Sequence, residues 1–253
     1  MAGLGFAATR DLGAFLRNAV QDGDGNPNPL AGSVRAVYTH CLSQPCRMMR
    51  DFVHLGFNQS ERGDQVIDGV INWGAGGGGA FVNFRFAQPG RGPSQRVSRW
   101  YPVRQFPFAN QTLVDPVTGQ TAGRLERCTA TGTCPKIFEI NSSNDYLTKV
   151  ASALTTDTVG DDLKDASGAR SYLIASLPHM AASGLASCTY PRNPLGPGAI
   201  LRAMLIALDE WATSGKRPPR ATSPVSPTEP RSRQRHKPTR ASRIFRAFYT
   251  TVS

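Results

Sequence analysis

Short runs rich in β-branched and aromatic residues alternate along this chain with segments of helical periodicity, and that alternation constrains the fold more than any other feature. Phe6, Leu12, Phe15, Leu16 and Val20 recur at helical spacing, so residues 6–21 read as an amphipathic helix. The Asp, Gly, Asn and Pro residues of 22–29 stop it. Residues 34–39 read as a strand, and a helix follows from about 44 to 57. Further strands are expected at 65–72, 136–140 and 171–175, and a closing helix at 199–211. Strands alternating with helices imply an α/β fold, a mostly parallel sheet with helices on both faces. Residues 80–133 show no sustained period and read as a lid-like insertion.

The formal charge of +11 is unevenly placed. Ten bases and one acid, Glu229, fall from Lys216 onward, which puts +9 there. The remaining 19 bases and 17 acids leave the body at +2. Residues 1–214 are therefore expected to form the domain and 215–253 a basic, disordered tail, rich in Pro, Ser, Thr and Arg. No apolar run suits a bilayer, and residues 1–5 lack the pattern of a signal peptide, so no membrane partner is expected and the cytoplasm is the default. Of five cysteines, Cys41 and Cys46 form one close pair and Cys128 and Cys134 another; neither has zinc-ligand spacing, and a reduced interior is expected. No metal or cofactor is expected. The glycine run 74–79 formally contains G-x-G-x-x-G, but no clear helix follows, and it lacks the ending of a phosphate-binding loop, so it reads as a loop beside a site.

Three positions carry candidate chemistry. Ser43 sits where a strand turns directly into a helix, a turn that exposes a serine oxygen above the sheet edge. Asp145 follows the strand at 136–140, and His179 follows the last strand. Serine, acid, histidine is the chain order of α/β-hydrolases, and each residue would lie beyond the carboxyl end of a parallel strand, where sites in such sheets collect. A helix cap is the competing role for Ser43. Asp157, Asp161 and Asp162 are rivals for the acid, a structural histidine is the alternative for His179, and His40 and His54 read as structural.

Collinear segments carry a resemblance. Gly5-Phe-Ala-Ala-Thr-Arg-Asp-Leu, Ser43-Gln, Arg47, Arg50-Asp-Phe, Leu55-Gly-Phe-Asn, Asp68-Gly-Val-Ile, Asn83-Phe-Arg-Phe-Ala-Gln-Pro, Phe106-Pro-Phe, Thr131-Gly-Thr-Cys-Pro-Lys-Ile-Phe and Asn141-Ser-Ser resemble a family of bacterial α/β-hydrolase domain-containing proteins, from about residue 2 to about 219. The resemblance implies a serine hydrolase acting on an ester-like small molecule, with Ser43 as nucleophile, Asp145 as acid, His179 as base and the Gln44 N–H as oxyanion donor. The family usually has Glu at the position of Asp145. In place of a Gly-x-Ser-x-Gly elbow, Cys41 precedes Ser43 and Cys46 follows it, with Pro45 between Gln44 and Cys46. The family's sheet begins before the equivalent of Met1, so the chain is expected to be the C-terminal portion of such a domain, lacking one oxyanion donor and impaired as an esterase. The tail is expected to be an out-of-frame reading of a family segment. The alternative is a non-enzymatic fragment whose tail binds polyanions without specificity; no specific nucleic acid is expected, and the oligomeric state is open.

Overall fold

In a computed structural model, residues 3–80, 105–180, 189–190 and 193–220 are described. The tail from 221 and residues 81–104 of the expected insertion lie outside them.

A four-stranded sheet holds the molecule together. Its strands are β1 (Tyr38–Leu42), β2 (Gly69–Trp73), β5 (Lys136–Ser142) and β6 (Ala169–Ile174), in that order and all parallel. The helices are α1 (Leu4–Asn18), α2 (Gln44–His54), α3 (Glu126–Thr131), α4 (Ser143–Thr148) and α5 (Gly198–Ser214), with a 3-10 turn at Ala151–Leu154. A parallel pair requires a crossover between its strands, and α2 supplies the one from β1 to β2.

Burial on both faces shows in β2, every residue of which is buried. Successive side chains point to opposite faces. Val70 and Ile137 join Phe6, Met49, Phe52 and Val53 on the side of α1 and α2. Ile71, Trp73, Phe138 and Ile140 join Leu208 and Trp211 of α5 on the other. Gly69 permits the second packing, because a Cβ there would stand 2.8 Å from both Leu208 Cδ2 and Tyr38 Cδ1.

Two sequence expectations change. The elbow strand lies at Tyr38–Leu42, starting four residues and ending three residues later than the pattern at 34–39 suggested, because β1 runs straight into the turn at Ser43. The described part of the unpatterned stretch is built into the body. A two-residue hairpin, β3 (Leu113–Val114) with β4 (Thr121–Ala122), leads to α3, and Leu125 and Cys128 are buried in the α2-side core. Elements this short contain too few residues to display a period.

A buried ionic layer lies beneath the carboxyl ends of the strands. Asn72 and Glu139 are register partners on β2 and β5, and Asn72 Nδ2 donates to Glu139 Oε1 at 3.2 Å. Arg50 of α2 is 3.3 Å from the same oxygen and donates to the carbonyls of Gly76 (2.6 Å), Gly78 (3.2 Å) and Phe108 (2.6 Å). Beside it Arg124 donates to Asp51 Oδ1 at 2.7 Å. Burial pushes the Arg50 guanidinium down to about 10, with the Glu139 carboxylate opposing the shift, so Arg50 remains charged at neutral pH.

Candidate active site

Ser43 lies between the last residue of β1 and the first of α2, with φ 64° and ψ −118°. A positive φ is costly for a residue with a Cβ, and it persists only where the surroundings impose it. The constraints are visible. The Ser43 N–H donates to Trp73 O at 2.7 Å, Pro45 pre-sets the first turn of α2, and a disulfide joins Cys41 to Cys46 across the turn. Cys41 and Cys46 are both buried, and the bridge between them spans the turn. Cys128 and Cys134 are also bridged. Four of the five cysteines are thus oxidised, contrary to the reduced interior expected from their spacing, and such bridges persist in oxidising surroundings.

Asp145 is fully buried in the first turn of α4, where it forms a capping box with Ser142. Ser142 N–H and Oγ–H both donate to Asp145 Oδ2, at 3.1 and 2.7 Å, and Asp145 N–H donates back to Ser142 Oγ at 3.2 Å. That pairing leaves Oδ1 for His179, whose Nδ1 is 2.7 Å away. A buried carboxylate only accepts, so Nδ1 carries the ring proton and Nε2 keeps its lone pair. Ser43 Oγ stands 2.8 Å from Nε2. His179 is held by buried Leu177, which packs with Trp73 and Ile140 just before it.

The structure thus brings Ser43, Asp145 and His179 into one hydrogen-bonded line. The rival acids lie elsewhere. Asp157 accepts the N–H groups of Val159 and Asp161, and Asp162 closes a bridge with Thr156. His40 is exposed on β1. His54, at the end of α2, is held below its ordinary value by burial, with Arg124 adding to the effect. Gln44 opens α2, and the N–H groups of a first helical turn have no acceptor within the helix.

The glycine run lies beside these residues. Gly74, with φ +66°, lies so close that a Cβ would stand 3.0 Å from the His179 ring and 3.2 Å from Asp145 Oδ2. Gly76, also at φ +66°, faces the backbone of Lys149, where a Cβ would meet the carbonyl at 2.4 Å. Only glycine lets the chain after β2 pass between the sheet and α4.

One residue the sequence reading passed over sits at the centre. Lys149 Nζ lies 2.7 Å from His179 Nε2, 3.0 Å from Nδ1, 3.4 Å from Ser43 Oγ and 3.5 Å from Asp145 Oδ1. Its signal in the sequence was its place four residues after Asp145, one helical turn along. Among the described residues no cluster of three or more His, Cys, Asp or Glu could hold a metal, and no helix is long and apolar enough to cross a membrane.

A parallel sheet carrying serine, carboxylate and histidine beyond the carboxyl ends of β1, β5 and β6 has the architecture of an α/β-hydrolase. The family model described as Alpha/beta hydrolase domain matches residues 2–235, and the chain belongs to that family. The match runs beyond about residue 219, where the resemblance was expected to stop. Neither a search of curated proteins nor one of solved structures found a match.

Proposed function

We propose that this α/β-hydrolase domain cleaves ester or related acyl bonds by a serine mechanism, with Ser43 as nucleophile, His179 as general base and Asp145 as the residue that orients it. The observation that carries the reading is the line Asp145 Oδ1, His179 Nδ1, His179 Nε2, Ser43 Oγ, at 2.7 and 2.8 Å. Those separations are within reach for proton transfer.

In the first half-reaction Ser43 Oγ bonds to the acyl carbon as its proton passes to His179 Nε2. The carbonyl π electrons move onto oxygen, and the Gln44 N–H donates to that oxyanion. The tetrahedral intermediate collapses, the bond to the leaving oxygen breaks, and the imidazolium returns the proton to the departing alcohol. In the second half-reaction water takes the place of the alcohol, and the acid is released with Ser43 regenerated. Asp145 stays ionised throughout and stabilises the imidazolium.

The test is hydrolysis of 4-nitrophenyl butyrate by the full chain and by Ser43→Ala. Turnover that vanishes in the variant supports the reading. Turnover that survives the substitution would overturn it.

A further inference from the structure

We infer that Ser142 and Ser143, at the junction of β5 and α4, are positioning residues for the acyl transfer proposed above. Ser142 aims the Asp145 carboxylate at His179, and Ser143 holds the loop that brings His179 to Ser43. The inference rests on that serine mechanism, in which neither side chain takes a step.

Only one of the two Asp145 oxygens can serve the histidine. Oδ2 accepts from the Ser142 N–H at 3.1 Å and from its hydroxyl at 2.7 Å. The neighbours settle the direction of that hydroxyl. A carboxylate only accepts and a backbone N–H only donates, so Ser142 Oγ–H points at Oδ2 while its lone pair receives the Asp145 N–H at 3.2 Å. The end torsion of an aspartate is otherwise loosely defined. Two donors on Oδ2 stop it from turning and leave Oδ1 facing His179 Nδ1 at 2.7 Å. Ser142 and Asp145 are both 0% exposed, so the bond to the charged oxygen is of the strong kind.

His179 lies past Ile174, the last paired residue of β6, where strand pairing no longer fixes the chain. The turn toward it is made at Ser176, which has φ 64° although it carries a Cβ. Such a conformation persists only where the surroundings impose it. Both backbone groups of Ser176 are tied. Its N–H donates to Ser143 Oγ at 3.0 Å, and its carbonyl accepts from Asn193 Nδ2 at 2.8 Å. Ser143 thus reaches from the helix that carries the acid to the loop that carries the base, and the separation of the two is set by one element. The residue before them, Asn141, accepts from the Gly76 N–H at 3.1 Å through Oδ1. Three consecutive side chains therefore each tie a different part of the site: the glycine run, the acid and the histidine loop.

The test compares the full unsubstituted chain with Ser142→Ala, Ser143→Ala and Ser143→Thr. The readouts are hydrolysis of 4-nitrophenyl butyrate and the downfield proton resonance of the hydrogen bond from His179 Nδ1 to Asp145. Ser142→Ala should lower kcat about tenfold, the size of one hydrogen bond to a charged group, with KM within about twofold, and should displace the resonance. Ser143→Ala should lower kcat about fivefold, the size of a neutral bond, and broaden the resonance as the histidine loop loosens. Ser143→Thr keeps the acceptor oxygen and should restore most of both. Ser142→Gly, well tolerated at a helix cap, gives the same reading if the Ala variant does not fold. An unmoved resonance in either Ala variant, or a loss confined to KM, overturns the inference, as does a Ser143→Thr variant no better than Ser143→Ala. The resonance is read on unreacted protein and fluorophosphonate labelling of Ser43 on the unsubstituted chain, so failure of the positioning role is distinguishable from failure of the serine mechanism.

Discussion

Replacing Arg50 with Met should destabilise the protein more than any single change in the glycine run or the site. Arg50 lies in the ionic layer, 3.3 Å from the fully buried Glu139, and supplies donors to the carbonyls of Gly76, Gly78 and Phe108. Methionine fills much of the same volume and donates nothing. Glu139 then loses its counter-charge, and three carbonyls lose a donor. Breaking a buried pair from one side costs about 3–5 kcal/mol. For a domain of this size about 1 kcal/mol moves the midpoint by roughly 2–4 °C, so a fall of roughly 10 °C is expected. The loop that Arg50 anchors touches Lys149, His179 and Asp145, so Ser43 labelling should fall as well. The assay is thermal unfolding of the unsubstituted chain, Arg50→Met, Glu139→Gln and the double variant. Removing the carboxylate charge in the Met background should restore about 1–3 kcal/mol through coupling of the two sites. A midpoint for Arg50→Met within roughly 2 °C of the parent, or strictly additive single changes, would refute this account of the layer.

Other outcomes follow from the same contacts. Asp145→Asn should lower esterase turnover by about 10³–10⁴ with the fold intact, since Asn favours the wrong histidine tautomer, while Asp157→Asn and Asp162→Asn should change it little; steady-state kinetics on the three variants decides. Mass spectrometry of the unreduced chain should show two intramolecular bridges, 41–46 and 128–134, and replacing Cys41 and Cys46 with Ala should cost about 2 kcal/mol and reduce Ser43 labelling. Free thiols at 41 and 46 would contradict the clamped elbow. His54 is depressed below its ordinary 6.5 by burial, so the unfolded chain binds the proton more readily. Its contribution to stability should be complete above about pH 6.5 and decline as pH falls below it, a decline that denaturant titrations of His54→Gln should show to be smaller.

Much of the architecture was legible in the sequence because burial writes periodicity. Residues 44–54 and 198–214 carry apolar faces at helical spacing, and the buried run of β2 reads as a strand. Ser43, Asp145 and His179 were legible for another reason: each follows a strand, and their order along the chain suits a site at one edge of a parallel sheet. What stayed hidden depends on three-dimensional neighbours. The bridge between Cys41 and Cys46 depends on a turn that brings their Cα atoms to 5.1 Å, which spacing alone does not reveal. Lys149 carried no reading in the sequence, and its place beside His179 shows only in three dimensions. The pairing of Arg50 with Glu139 likewise depends on neighbours far apart in the chain and was not legible in the sequence.

The central claim is that Ser43 is a nucleophile activated by His179. The most direct measurement is covalent labelling by a fluorophosphonate probe, with the modified residue located by peptide mass spectrometry. The account predicts one adduct, on Ser43, lost in Ser43→Ala and strongly slowed in His179→Ala. No adduct on the folded chain, or an adduct on another residue that survives Ser43→Ala, would contradict it.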